Sequence, residues 1–480
     1  MASRVIAAIR RSAVLAAALS FILPGLGQGW IGARRRAIIM AAPIMLLVGV
    51  VLLVVATQGS YRTAGLLIQP NVLIGLLVAN VVLLAYRSGA IVDAFRLARR
   101  RWPSDGSASR NGPGLFGLGA LLGVTLLMHS WFGLVTYKTY DTVATVFHDT
   151  NPTATPNPTP AGTVDPSAVP TPTRVPTPEP TPLPVWSDNG RLDLLLIGGD
   201  AGPGRWSLRT DTMILLSVDV ATGRSAMFGI PRNLTQVPLP DGPADAFDCR
   251  CFPDLLNSLF TFASANPQWF PGSDDDRGYI AVQDAIAKLT GLQIDGQVVV
   301  TLQGFVRLVD QLGGLEIYVP YSVYDARYPP PDGGRNVELW IPAGQQHMNG
   351  WTALAYARSR HQDNDYNRMD RQQLVLRSLR RQLDPCVLIP RIPELLDIAR
   401  DSLWTNVPVA QLPEIFSLGA RVDSGSIARY QFWPPDIREQ LDIESINLIR
   451  TMVRTPFVNQ PSPTPRPSGT PASATPAPVC

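Results

Sequence analysis

Three apolar runs in the first third of the chain, residues 37 to 56, 66 to 86 and 115 to 136, constrain its fold more than any other feature. Each holds about 20 residues, which at 1.5 Å per residue spans a hydrocarbon core of about 30 Å. Lipid offers the backbone no water to bond, so such runs close their hydrogen bonds internally as helices. An earlier run, residues 13 to 31, is broken by Pro24-Gly25-Leu26-Gly27-Gln28-Gly29 and lies between Arg10, Arg11 and the cluster Arg34, Arg35, Arg36. Arginine clusters stay on the cytoplasmic side, which makes this run a half-span or interfacial helix; otherwise it is an ordinary first span with the N-terminus outside. Residues 87 to 113 carry Arg87, Arg96, Arg99, Arg100, Arg101 and Arg110 and few acids, as a cytoplasmic loop does. Residues 115 to 136 then lead outward, and everything after about residue 137 is expected to be extracytoplasmic. A cleaved signal peptide fits poorly, because further spans follow the first apolar run. Residues 1–136 are therefore expected to form a helical membrane anchor.

Residues 1 to 150 hold thirteen Arg and one Lys against four Asp and no Glu, whereas the whole chain carries a net charge of only +3. A basic half raises nucleic acid as a partner. Here, however, the arginines punctuate runs too apolar for a recognition helix, and the positive-inside rule accounts for them. Charged residues make up 16% of the chain, against about 25% in soluble domains, and much of the remaining departure is proline. Residues 151 to 185 contain twelve Pro and eight Thr, a composition that builds no core and favours extended polyproline II. Residues 137–185 are thus expected to be an extracytoplasmic stalk, whose residues 151 to 185 reach roughly 100 Å at about 3.1 Å per residue. Residues 456–480, in the same Pro/Ser/Thr style, are expected to be a disordered tail. Of the four cysteines, Cys249 and Cys251 stand too close for an unstrained bridge, which leaves a disulfide from one of them to Cys386, or free thiols. No CxxC pair and no HExxH occurs, and only four His are present, which disfavours a zinc site.

Between stalk and tail, residues 186–455 alternate strands and helices. Strands are expected at 192–197, 213–218, 224–229, 297–302 and 315–319, short and rich in Leu and β-branched residues between Gly, Asp and Pro. Helices are expected at 279–289, 303–312, 352–357, 368–382, 393–402 and 410–420, where apolar residues recur near every 3.6 positions. Such alternation predicts an α/β domain, a sheet covered by helices. Asp200 ends the first strand and Asp211 opens the second across a Gly-rich loop. The two carboxylates serve either as ligands for one hydrated Mg2+ or as plain turn and cap residues. Arginines gather at Arg209, Arg232, Arg358, Arg360, Arg368 and Arg371. Arg358 and Arg360 share one side of an extended segment, and Arg368, Arg371 and Gln372 share one helical face. Guanidinium groups suit bidentate recognition of phosphate, so these arginines beside a carboxylate pair point to a pyrophosphate with its metal. Otherwise they form a surface ion-pair network in a chain whose default cation is Arg.

The segments LLLIGGDAGPGRWSLRTDTMILLSVD, FGIPRNL, LLNSLF, GLQIDGQVVVTLQGFVRLVDQLGGLEIYVP and MNGWTALAYARSRHQDNDYNRMDRQQLVL together resemble a LytR-CpsA-Psr domain, in that family's order and spacing, over roughly residues 190 to 385. The resemblance implies a phosphotransferase that moves a glycopolymer from a polyprenyl-pyrophosphate carrier to peptidoglycan or another wall acceptor, and an apolar tunnel for the prenyl chain. By position it implies Asp200 and Asp211 as Mg2+ ligands, with Mn2+ as the alternative ion. It implies Arg232, Arg358, Arg360 and Arg368 as the pyrophosphate clamp, Arg209, Arg371 and Gln372 as completing or supporting it, and Asn257 as a residue behind it. Asn233 departs from the family pattern, which commonly has Asp there. The three-span anchor is also heavier than the family's usual single span.

Phosphoryl transfer requires positioning and charge neutralisation more than covalent help. A carboxylate, either Asp365 or a metal ligand, is expected to accept the proton of the attacking hydroxyl. Helices 279–289 and 303–312 are expected either to line the tunnel or to be plain core. Two other functions share these residues: a polyprenyl-pyrophosphate hydrolase, and a non-catalytic module that binds lipid or polymer during assembly. A transcription regulator is disfavoured for a domain outside the membrane.

Overall fold

The computed structural model describes residues 12–102, 111–148, 190–199, 209–330, 334–360, 364–383, 388–422 and 427–458. Asp200, Cys386, the tail from 459 on and the stalk between 149 and 189 lie outside the described residues.

The N-terminal unit is helical. Helix α1 (Ala13–Ile22) stops before Pro24, and Gly25, at φ 103°, turns the chain into the short helix α2 (Leu26–Trp30). The expected break in the first apolar run is therefore where the sequence puts it. Three long helices follow, α3 (Arg34–Gln58), α4 (Pro70–Arg101) and α5 (Asn111–Val146), each long and apolar enough to cross a membrane. Two expectations need correction. Residues 87 to 101 are helix rather than loop, because Ile91, Phe95 and Ala98 recur on one face and bury against Ala16, Ala17 and Ile31. And α5 runs beyond residue 136 to Val146, so the first residues assigned to the stalk are helical.

The C-terminal unit is built on a six-stranded sheet. In chain order the strands are β1 (Arg191–Gly199), β2 (Thr210–Asp219), β3 (Ser225–Gly229), β4 (Val237–Pro238), β5 (Cys251–Phe252), β6 (Gly296–Thr301), β7 (Leu315–Val319), β8 (Val323–Tyr328), β9 (Val337–Ile341), β10 (Gly344–Met348), β11 (Leu403–Thr405) and β12 (Ala428–Gln431). The main sheet runs β11-β6-β1-β2-β3-β12, and β4/β5, β7/β10 and β8/β9 form separate two-stranded ribbons. Strand β1 pairs antiparallel with β2 and parallel with β6. The central strands are apolar on both faces, as strands covered on both sides must be. Alternation then sorts the side chains. Leu195, Leu215 and Val299 enter a core with helix α6 (Arg277–Thr290), while Leu196, Ile214 and Val300 face a cavity on the other side. That second face is covered by α7 (Leu302–Leu312), α8 (Gly350–Arg358) and α9 (Asp365–Arg381). The layered α/β architecture agrees with the expectation. The strand at 315–319 is present as β7, but its partner β10 and the β4/β5 and β8/β9 ribbons were not anticipated, nor were β11, β12 and a C-terminal helix over Ile443–Met452.

Cys249 and Cys251 are joined to each other in a disulfide, in place of the two expected alternatives, a bridge from one of them to Cys386 or free thiols. Arg250 between them takes φ 53°, the left-handed turn that lets neighbours so close face one another.

Candidate functional site

The site sits at the end of the sheet where parallel β1 and β6 terminate and antiparallel β2 begins. Gly198 lies there opposite Thr212, and a Cβ at Gly198 would meet the Thr212 side chain at 3.0 Å, so glycine keeps this corner open. A polar pocket of about 140 Å3 opens at the corner, with Asp211, Arg232, Asp325, Arg358, Arg360 and Arg368 in its wall. Behind it lies a cavity of about 180 Å3, floored by Leu196, Ile214 and Val300 and roofed by Phe305, Val375 and Leu376. Gly198, Thr212, Leu302 and Arg358 line both.

The charges interlock. Arg232, just past β3, donates from Nη1 to Asp211 Oδ1 at 2.6 Å, and its Nε stands 3.3 Å from Asp365 Oδ1. Arg368 grips Asp365 with two bonds, Nε to Oδ1 at 3.1 Å and Nη2 to Oδ2 at 2.7 Å, and donates to the Asp211 carbonyl oxygen at 2.9 Å. Asn257 donates to Asp211 Oδ1 at 3.1 Å. Asn364 accepts from the N–H groups of Tyr366 and Asn367, and this cap fixes the first turn of α9, from which Asp365 and Arg368 project.

Burial alone would raise the Asp211 pKa, but the charge and hydrogen bond of Arg232, the bond from Asn257 and the charge of Arg368 outweigh it and hold the carboxyl below its usual range. Arg232 is pulled down by burial and up by Asp211 and Asp365, and the carboxylates win. For the more deeply placed Arg368, burial wins and its pKa falls.

Not every expected residue reaches the pocket. Arg371, although on the same helical face as Arg368, lies a turn deeper and is 1% exposed. It donates to the carbonyl oxygens of Tyr356 and Ser359, so it braces the segment bearing Arg358 and Arg360 and is not in the pocket wall. Gln372 does the same through the Ala357 carbonyl at 3.3 Å, and borders the apolar cavity. Arg209 is exposed ahead of β2 and is not among the residues lining the pocket. Asp365, expected as a proton acceptor, has both oxygens engaged by Arg368 and is described better as the anchor of two arginines. Asn233 donates to Glu439 Oε1 at 2.5 Å, which also accepts from the Tyr366 hydroxyl at 2.8 Å. Helix α7 lines the cavity through Phe305 and Leu308, whereas α6 belongs to the core on the opposite face of the sheet.

Asp325 and Tyr328 were not anticipated. Both are 1% exposed, and both line the pocket from β8. Asp325 accepts from Ser359 Oγ at 3.0 Å. The signal available was an acid at an inward position of an alternating strand, Val323-Tyr324-Asp325.

Among the described residues, no group of three or more His, Cys, Asp or Glu is placed to hold a metal ion. Asp211 Oδ1 is taken by two N–H donors, while Oδ2 meets no hydrogen-bond donor among the described residues. One such hard oxygen suits an ion that keeps most of its waters; Asp200, the expected second ligand, is outside the described residues.

The LytR_cpsA_psr family model matches residues 143–438, more than half of the chain. The polyisoprenyl-teichoic acid–peptidoglycan teichoic acid transferase TagV of Bacillus subtilis (strain 168) is 26% identical over 226 residues, 46% of this chain and 51% of that protein. The transferase of the same description named TagU, from Halalkalibacterium halodurans, is 25% identical over 47% of this chain and 64% of its own length. The regulatory protein MsrR of Staphylococcus aureus (strain COL) is 25% identical over 47% and 59%. The chain thus spans about half to two thirds of the length of these curated relatives. The crystal structure of B. subtilis TagV superposes with a TM-score of 0.41 at 21% identity, covering 56% of this chain and 98% of that one. With the family model running from residue 143 through every segment that lines the site, the chain belongs to the LytR-CpsA-Psr family.

Proposed function

We propose that this chain is a membrane-anchored phosphotransferase that moves a phospho-glycopolymer from a polyprenyl-pyrophosphate carrier to a cell-wall acceptor such as peptidoglycan. The observation that carries the proposal is one cleft of two chemistries, an arginine-rich pocket sharing four wall residues with an apolar cavity. A lipid pyrophosphate has the same two halves, a dianionic head and a hydrocarbon tail. The names of TagV and TagU, with their polyisoprenyl-linked teichoic acid and peptidoglycan, add support. The helical anchor would hold the domain at the membrane where such a carrier resides, with the C-terminal domain outside.

In this reading the acceptor hydroxyl attacks the phosphorus next to the glycopolymer. A new P–O bond forms, the bridging P–O bond breaks and polyprenyl monophosphate leaves. Arg232, Arg358, Arg360 and Arg368 bind the phosphate oxygens and oppose the charge that grows on the leaving group. Of the carboxylates in the pocket wall, Asp325 is engaged at both oxygens by the Arg327 N–H and the Ser359 hydroxyl, so Asp211 is the group there that would take the hydroxyl proton, a contribution of about 10² to 10⁴ in rate. Asp365 keeps Arg232 and Arg368 in place. Asp211, together with Asp200, would hold Mg2+ or Mn2+, which when bound neutralises charge on the phosphates.

The test incubates the full chain in detergent with a polyprenyl-pyrophosphate glycan, with and without peptidoglycan and Mg2+. Transfer predicts a polymer–wall adduct plus polyprenyl monophosphate, both lost in Arg360→Ala. Lipid cleavage without adduct would make the protein a hydrolase, and failure to bind the lipid would leave a non-catalytic module.

A further inference from the structure

The β8/β9 ribbon has two unlike faces. Its inner face carries Asp325 and Tyr328 into the polar pocket. On its outer face Tyr324 pairs with Trp340, ring centroids 6.2 Å apart at 60°. These rings are 41% and 61% exposed, and Tyr321, two residues ahead of the ribbon's first pair, is 43% exposed. Glu338, two residues before Trp340 and also exposed, hydrogen-bonds the Tyr324 hydroxyl.

Two large aromatic rings paired in water on a ribbon suit a contact surface, since Trp and Tyr are enriched among the residues that carry binding energy. The chemistry of the occupant follows from the geometry. The rings stand on a ribbon rather than in a groove, which disfavours a docked helix. A carboxylate at their edge repels phosphate, whether of an anionic lipid surface or of the donor polymer. A sugar ring suits them: its axial C–H groups pack on an aromatic face and its equatorial hydroxyls donate to a carboxylate. Tyr324 is also adjacent in sequence to Asp325, about 3.8 Å along the chain, so one ribbon carries the aromatic pair on its outer face and the pocket wall on its inner face.

We propose that Tyr324 and Trp340, with Glu338, form a carbohydrate platform that holds the acceptor glycan strand beside the phosphate pocket. Its identification with the acceptor rests on the transferase reading above; the binding of sugar does not.

The probe is soluble, uncross-linked peptidoglycan glycan strand, titrated against the full chain in detergent. Tyr324→Ala and Trp340→Ala remove exposed rings and should leave the thermal midpoint within about 2 °C of the parent, as surface changes do. Strand affinity should fall at least tenfold in each and further in the double variant. In a parallel titration with polyprenyl pyrophosphate, Arg360→Ala tests the transferase reading alone. Strand binding that depends on Trp340 upholds the platform even if the lipid fails to bind. Parent and Trp340→Ala binding strands equally, or the parent binding none, overturns it whatever the lipid does. Trp340-dependent binding to anionic phospholipid vesicles in place of strands would overturn it too.

Discussion

Arg360 and Arg368 line the same pocket under opposite constraints, and that difference is measurable. Arg368 is 3% exposed and satisfies Asp365 and the Asp211 carbonyl. Arg368→Ala would strand a carboxylate and a carbonyl among other charges, a loss of about 3 to 5 kcal/mol together with ligand binding. Arg360 is exposed at the pocket edge, so Arg360→Ala should change stability by no more than about 0.5 kcal/mol while still weakening pyrophosphate binding. Urea unfolding and lipid titration of both variants would separate these effects; equal stability losses would refute the picture. Asp295 gives a second prediction, far from the pocket. Its Oδ2 accepts from the Asp193 backbone N–H, and burial, with the Asp193 charge, raises its pKa to about 7 against the pull of that hydrogen bond and of Arg191. Asp193, fully buried, is raised as well. A carboxyl raised on folding contributes stability below its unfolded pKa of about 4 and loses it as pH climbs through the folded value. Asp211, held low, acts in the opposite sense only below about pH 4. The thermal midpoint should therefore fall between pH 5 and pH 8, and Asp295→Asn, which keeps the acceptor and removes the charge, should flatten that slope.

Among the elements, α7 and α6 show what the sequence could reveal. Both have an apolar stripe at helical spacing, and periodicity cannot say which side of a sheet a stripe will cover. The topology decides it: α6 packs with Leu195 and Leu215, and α7 with Leu196 and Ile214. The arginines were legible because guanidinium groups at Arg232, Arg358 and Arg360 stand next to strand or helix ends, where side chains converge. The same spacing rule placed Arg371 with Arg368, but it could not see that one more turn carries Arg371 under the 356–359 backbone. Asp325 went unrecognised because β8 has few β-branched residues to announce a strand. The cavity itself yields a prediction at this scale. Leu376→Trp, on the α9 side, adds bulk to a space of about 180 Å3, so the fold should tolerate it better than overpacking of a filled core, which costs about 1 to 3 kcal/mol. Binding of a long polyprenyl pyrophosphate should fall at least tenfold, while inorganic pyrophosphate binding stays within twofold. Equal loss of both would mean that the cavity does not receive the tail.

At the scale of the whole molecule, the charge pattern and the helices together predict a topology that can be checked directly. Helices α3, α4 and α5 each carry a window apolar enough to cross a membrane. Arg34 to Arg36 open α3, and Arg99, Arg100 and Arg101 close α4. With both arginine groups on the cytoplasmic side, α3 leads out, α4 returns and α5 leads out again, which leaves the segment after Val146 outside. Three crossings are what this requires; a chain whose α3 and α4 lay in the interface would place the same domain outside with one. Alkaline phosphatase, which folds only where its disulfides form, distinguishes these arrangements when fused at successive positions. Fusions after Gly59 and after residue 150 should be active, and one after residue 106 inactive. An inactive fusion after Gly59 with an active one after residue 150 would reduce the anchor to the single crossing of α5. Inactivity after residue 150 would put the arginine pocket on the side of the membrane where no wall acceptor exists, and the transferase reading would fall with it.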